Sequence, residues 1–245
     1  MTPFYFGTDA RRLFGIHETA ARTGRGTRAA VLCQSWGAEY LNAHRAMRHL
    51  ALKLASAGWH ALRFDYFGTG DSAGEAMEGD LAGWEADIGL AMAEARDIIG
   101  GGPVALIGLR LGATLAARVA RRRPRDIHRL VLWDPVIRGA DYLADLDGPG
   151  PAARMARGTP LSAAMRRDLA AADLAPLLAA PATRTFLLTT QPPAPAHAPA
   201  HPPEAPGRAS LAHDVIAAAL PWIEDPEAMG VIPVGVIQRI VTWLD

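Results

Sequence analysis

Lysine is almost missing from this 245-residue chain: Lys53 is the single one among 25 basic residues. Alanine, at 49 copies, is the commonest residue, and an Arg/Ala excess with so little Lys reflects a GC-rich coding bias more than a function. Cysteine is equally scarce. Cys33 alone excludes an intrachain disulfide and a Cys-x-x-Cys zinc site. No sign of charge dominates: 25 basic residues balance 25 acidic ones, which argues against the broad basic face that nucleic-acid binding needs. The one dense basic run, Arg121-Arg122-Arg123-Pro124-Arg125, reads as a solvated helix end. Long apolar runs are missing too, and none approaches the roughly 18 residues of a membrane span. Residues Met1 to Phe6 lack the basic flank and apolar core of a signal peptide. The expectation is a cytoplasmic protein with no membrane or nucleic-acid partner, no metal site and no cofactor.

Hydrophobic residues are plentiful, at 50% of the chain, which suffices for a packed core in a single α/β domain over 1–245. Short strands are expected at Phe4-Tyr5-Phe6 and Leu13 to His17, and the apolar run Ala29 to Cys33 reads as a buried strand. Glu39 to Ala57 reads as a helix, with Leu41, Met47, Leu50 and Leu54 at helical spacing and Gly58 closing it. Strand then helix recurs: Trp59 to Asp65, Asp80 to Ile99, Val104 to Gly108, Leu111 to Arg123, His128 to Asp134. That alternation predicts a mostly parallel sheet with helices on both faces. Residues 135–182 are Ala/Arg-rich and read as short helical pieces forming a lid-like insertion. Arg184 to Thr190 reads as a strand. Residues 192–206 hold seven prolines with His197 and His201, which reads as an extended loop. Ser210 to Leu220 reads as a strand, and Val231 to Leu244 as a closing amphipathic helix.

The chemistry-bearing stretch is Ile107-Gly108-Leu109-Arg110-Leu111-Gly112-Ala113. An apolar strand enters a turn with glycines two positions either side of a central residue and passes directly into a helix. The glycines permit a sharp, strained turn that lifts the central side chain at the carboxyl edge of the sheet, the nucleophile elbow when that residue is Ser. Leu32-Cys33-Gln34-Ser35-Trp36-Gly37 follows the third strand, and Phe64 to Ser72 contains an Asp-x-x-Gly-x-Gly-x-Ser loop in Asp65, Gly68, Gly70 and Ser72, with Asp71 beside the last. On these motifs the chain resembles the α/β-hydrolase superfamily, and within it the serine-aminopeptidase-like and exosortase-associated hydrolases. The resemblance implies an α/β-hydrolase fold with a lid. It places an oxyanion loop at Leu32 to Gly37, a triad acid after the strand ending near Thr190, and a histidine near Leu220 to Glu224.

The chain departs from that pattern at all three catalytic positions. The elbow residue is Arg110, which stays protonated and has no lone pair for attack. Gln191 to Pro195 offers no carboxylate, and Leu220 to Glu224 offers no histidine. Arg110 would stand at a helix N-terminus, where free N–H groups and the dipole favour an anion and a guanidinium adds a bidentate fork. Two roles follow: recognition of an acidic group on a ligand, or an internal pair with Asp134 or Asp65. Arg110, Leu111, Ser35 and Trp36 are the expected ligand-binding residues. Asp65, Gly68, Gly70, Asp71 and Ser72 are expected to shape a structural loop. Ser35, Cys33, His213 and Asp134 are the candidates for a relocated catalytic set.

Three functions fit. The first is a non-catalytic or repurposed accessory protein of a biosynthetic pathway, binding an acidic, acyl or peptidyl ligand, small or carrier-linked. The second is an active hydrolase or acyltransferase with a displaced nucleophile. The third is a subunit whose lid or Pro-rich loop docks a protein partner from the same pathway.

Overall fold

The computed structural model describes residues 1–21, 27–150, 159–191, 209–223 and 231–245. Eight strands form one sheet: β1 (Thr2–Thr8), β2 (Arg11–Glu18), β3 (Arg28–Cys33), β4 (Trp59–Phe64), β5 (Val104–Leu109), β6 (Ile127–Trp133), β7 (Arg184–Thr189) and β8 (Leu211–Val215). Their order is β1-β2-β4-β3-β5-β6-β7-β8. The β1–β2 hairpin pairs antiparallel with itself and with β4, and every later pairing is parallel. Parallel strands need crossovers, and helices supply them: α1 (Ala38–Ser56), α2 (Leu81–Ile98) and α3 (Leu111–Arg122). The carboxyl ends of β3 to β8 therefore share one edge, and the connections leaving them converge there. This is the α/β-hydrolase fold.

The core has two layers because helices cover both faces. Val31, Leu62, Phe64, Leu106 and Leu132 face α2 and α3. Leu32, Ala61, Ile107, Val131 and Phe186 face α1 and the closing helix, α7 (Val234–Leu244). Burial on both sides is why β3 and β5 read as unbroken apolar runs. The α1 stripe is Ala43, Met47, Leu50 and Leu54. Leu41, expected on that stripe, is instead 70% exposed. A 100° turn per residue puts it off the face that Leu50 and Leu54 define.

Among its described residues, the stretch 135–182 holds three short helices, α4 (Gly139–Asp147), α5 (Ala163–Ala170) and α6 (Ala175–Ala179), packed by Leu143, Leu146, Met165, Leu169 and Leu178 onto the α2/α3 layer. Strand β8 ends at Val215, well short of Leu220. Ile216 still donates to Thr189, and the chain then leaves the ladder through Ala217 to Leu220 before Pro221, which has no N–H to donate. The Pro-rich stretch 192–206, with His197 and His201, lies outside the described residues, as does the glycine turn at 24–26. No helix among the described residues is long and apolar enough to cross a membrane.

Candidate functional site

Arg110 occupies the elbow with φ 53° and ψ −122°. Few side-chain-bearing residues adopt positive φ, and the surrounding turn holds this one there. A Cβ on Gly108 would overlap the Ala113 backbone, and one on Gly112 would overlap the Gln34 and Cys33 carbonyls, so only glycine fits either place. The Arg110 carbonyl accepts from Ala113, and its amide donates to Trp133. The strained strand–turn–helix is intact although its tip carries no nucleophile.

The guanidinium is held from three sides. Nε donates to Glu39 Oε1 at 3.1 Å, and Nη1 donates to the Asp134 carbonyl at 3.2 Å. Trp222 lies 5.3 Å from the guanidinium carbon and Tyr142 5.8 Å, both in cation–π range. Tyr142 also donates to Glu39 Oε2 at 3.4 Å. Burial works against the Arg110 charge, and Glu39, Tyr142 and Asp134 outweigh it, so the guanidinium sits above its ordinary range. Burial pushes the Glu39 carboxyl up, against the pull of Arg110 and Tyr142. The partner is thus Glu39, not the carboxylate of Asp134 or Asp65. Glu39 reaches the elbow because α1 begins at Ala38 directly after the β3 loop, and its charge suits the first turn of a helix.

The expected partners are committed elsewhere. Asp134, itself at φ 41°, accepts from the Thr190 amide at 2.9 Å and the Thr190 hydroxyl at 2.8 Å. Asp65 accepts from the Tyr40 hydroxyl at 2.8 Å and the Asp71 amide at 3.1 Å. Ser72 donates to the Asp65 carbonyl and accepts from the Phe14 amide, which ties the loop to β2. Gly68 and Gly70 both have positive φ, and a Cβ at Gly70 would overlap the Asp65 carboxylate.

The relocated catalytic set does not assemble among the described residues. Cys33 is buried, and burial pushes its thiol far above the range in which a thiolate forms at neutral pH. Ser35 is 3% exposed and its hydroxyl has no hydrogen-bond partner, so no base is placed to deprotonate it. His213 lies within β8, with Nε2 3.1 Å from the Thr189 hydroxyl. Trp222, in the connection where a histidine was expected, covers Arg110. No group of three His, Cys, Asp or Glu side chains among the described residues is arranged for a metal.

Beside the elbow lies a pocket of about 230 Å³ between the β3–α1 and β4–α2 connections. Ser35, Trp36, Tyr40, Leu41, Phe64 and Tyr66 form much of its wall, with Asp65, Gly68, Gly70 and Thr159 among the other lining residues. Arg110 is not among the lining residues, and neither is Leu111, which is buried under the turn. Glu39 escaped sequence reasoning, because it carries only the sign of a helix start.

A sheet of this order, with a strained elbow after β5 and loops gathered at one edge, defines an α/β-hydrolase-fold protein. Residues 40–184 match the model of the family described as serine aminopeptidase, S33. The chain belongs to that family. No curated protein matches it. Among solved structures it is similar to Est1E from Butyrivibrio proteoclasticus with ferulic acid bound, at 14% identity and TM-score 0.60, covering 76% of this chain and 77% of that one. It is also similar to alpha/beta hydrolase domain-containing protein 10 from mouse, at 15% identity and TM-score 0.60, covering 100% and 97%. A thioesterase domain from the curacin biosynthetic pathway aligns at 18% identity and TM-score 0.52, covering 77% and 83%. At these identities the likeness is one of fold.

Proposed function

We propose that this hydrolase-fold chain binds an acyl ligand beside its elbow and does not cleave it, acting as an accessory protein. The observation that carries this reading is the Arg110–Glu39 pair. The position that lifts a nucleophile in this fold holds a guanidinium that is paired internally with Glu39 and flanked by Trp222 and Tyr142. The pocket next to it has the aromatic lining and the few polar groups of a small-ligand site. Ser35 and Trp36 are the proposed ligand contacts. A displaced nucleophile is the weaker reading, because Cys33 is held as a neutral thiol and Ser35 has no base.

The test has two arms. A fluorophosphonate probe and p-nitrophenyl esters of short acyl chains should give no labelled residue and no turnover above background. Short acyl amides and esters should raise the melting temperature and change tryptophan fluorescence in a saturable way. Labelling of one serine or cysteine, abolished by its substitution, overturns the reading.

A further inference from the structure

Strand β1 forms one edge of the sheet, and among the described residues nothing pairs with its outer side. Soluble proteins usually blunt such an edge with charges, bulges or proline. β1 reads Thr2-Pro3-Phe4-Tyr5-Phe6-Gly7-Thr8, with no charged side chain, and its residues pair with β2 in unbroken register. Pro3 is its one protective device. The backbone of β2 shows which groups of β1 face outward. The Phe14 carbonyl accepts from the Asp65 amide and the Phe14 amide donates to the Ser72 hydroxyl, so Phe14 turns its polar groups away from β1. Phe14 is the register partner of Tyr5. Tyr5 therefore sits in a non-hydrogen-bonded pair, and its own N–H and C=O point out from the free edge. Strand alternation adds the Pro3 carbonyl to that edge. Tyr5 is 55% exposed, held edge-on to Phe14 at 5.5 Å with the Arg12 guanidinium 5.0 Å from its ring. On the other face Phe6 is buried against the α2 layer, and Phe4 beside it is half-buried.

We infer that β1 is the contact through which two copies of this chain associate, antiparallel and with the two-fold axis at Tyr5. The strand reads nearly the same from either end about that residue, so an antiparallel copy places like on like. Thr2 meets Thr8, Phe4 meets Phe6, and Tyr5 meets Tyr5. The two Tyr5 residues exchange both of their outward hydrogen bonds. Pro3, which has no N–H to give, falls opposite Gly7, which has no side chain to collide with its ring. Gly7 is at φ 97° and is counted in no hydrogen bond. Phe4 and Phe6 of opposing copies form closely spaced cross-strand pairs, and covering Phe4 removes apolar surface from water. No charge on either strand opposes the contact. An unrelated strand could satisfy the backbone, but a copy of β1 also matches its side chains position by position. No β1 residue lines the pocket, so association and ligand binding are separate properties.

Sedimentation equilibrium of the full chain should give twice the 26.0 kDa of one copy, with dissociation on dilution. Tyr5→Lys sets two ammonium groups against each other across the axis and should weaken association about tenfold, with an unchanged circular dichroism spectrum. Tyr5→Cys places two thiols on Cα atoms about 5.5 Å apart, inside the range a disulfide spans, and oxidation by diamide should give a covalent dimer on a non-reducing gel. Cys33 is buried and does not compete. Val234→Cys, equally exposed on α7, is the control and should stay uncrosslinked. A single-copy mass for wild type at every concentration overturns the inference. So does a dimer that Tyr5→Lys leaves intact, or a Tyr5→Cys crosslink no faster than that of Val234→Cys, since the copies would then meet at another surface. If Tyr5→Lys fails to fold, the two cysteine variants decide.

Discussion

Arg110 and Glu39 are 71 residues apart in sequence, and their 3.1 Å ion pair ties the first turn of α1 to the start of α3 across the carboxyl edge of the sheet. Glu39 is buried, and the Arg110 side chain is 22% exposed. Removing one partner strands the other charge in a poorly solvated place. Glu39→Gln should therefore destabilise the fold by about 3 kcal/mol, the low end for breaking a buried pair because Arg110 keeps some contact with water. The double variant Arg110→Met with Glu39→Leu should recover most of that loss, since neither charge is left alone. Urea unfolding of the three proteins measures both quantities.

Restoring serine at the elbow should not restore an esterase. Arg110→Ser would place a hydroxyl at φ 53°, yet among the described residues the groups around it are Glu39, Tyr142, Trp222 and the Asp134 carbonyl, none of them an imidazole. A serine without a base is a weak nucleophile. Turnover of p-nitrophenyl butyrate by this variant is expected at background, and fluorophosphonate labelling at the wild-type level. A clear gain in either would mean that a base reaches the elbow.

Most of the sheet was legible in the sequence because its strands are buried on both faces and read as apolar blocks, Ala29 to Cys33 and Val104 to Gly108 above all. The elbow was legible for a different reason: the backbone of a strained turn demands Gly108 and Gly112 whatever residue stands between them. Partners were not legible. Arg110 was expected to meet Asp134 or Asp65, the acids at strand ends, and it meets Glu39, whose approach depends on where α1 begins and how it packs. Asp134 was already engaged by Thr190, a pairing across neighbouring strand ends that no spacing reveals. Leu41 matched the helical period but not the buried arc. That arc is set by contact with the sheet and α7, and Leu41 ended at the pocket rim.

Glycine substitutions separate the turn from the rest of the chain. Gly112→Ala would drive a methyl into the Gln34 and Cys33 carbonyls, which are backbone and cannot move aside cheaply. A loss of about 3 kcal/mol is expected, at the upper end for overpacking. Gly235→Ala, in α7 with nothing within 4 Å of the new carbon, should instead gain about 0.5 kcal/mol through helix propensity. Chemical denaturation of the two variants should move in opposite directions. Equal tolerance at both places would mean that the turn relaxes.

His17 and His60 give the fold a dependence on pH that has nothing to do with the elbow. His17 Nε2 lies 2.8 Å from His60 Nδ1 across β2 and β4, the strands that join the antiparallel hairpin to the parallel sheet. The ring planes are within 14° of each other, and the 5.1 Å centroid separation is spanned by the nitrogen–nitrogen contact itself. One proton between the two nitrogens makes a hydrogen bond, and a second would set N–H against N–H. Burial lowers both pKa values, and for His17 the His60 charge and the N-terminal ammonium lower it further while Glu18 opposes them. With folded values below the unfolded one, near 6.5, the unfolded chain binds more protons in acid. The contribution is fully present above the unfolded value and is lost as pH falls toward the folded ones. His44 and His128 shift in the same direction, so wild type alone does not isolate the pair. The double variant His17→Gln with His60→Gln does. Its urea midpoint should fall less between pH 7.5 and pH 5 than the wild-type midpoint does, and an equal fall would assign the acid sensitivity to the other histidines.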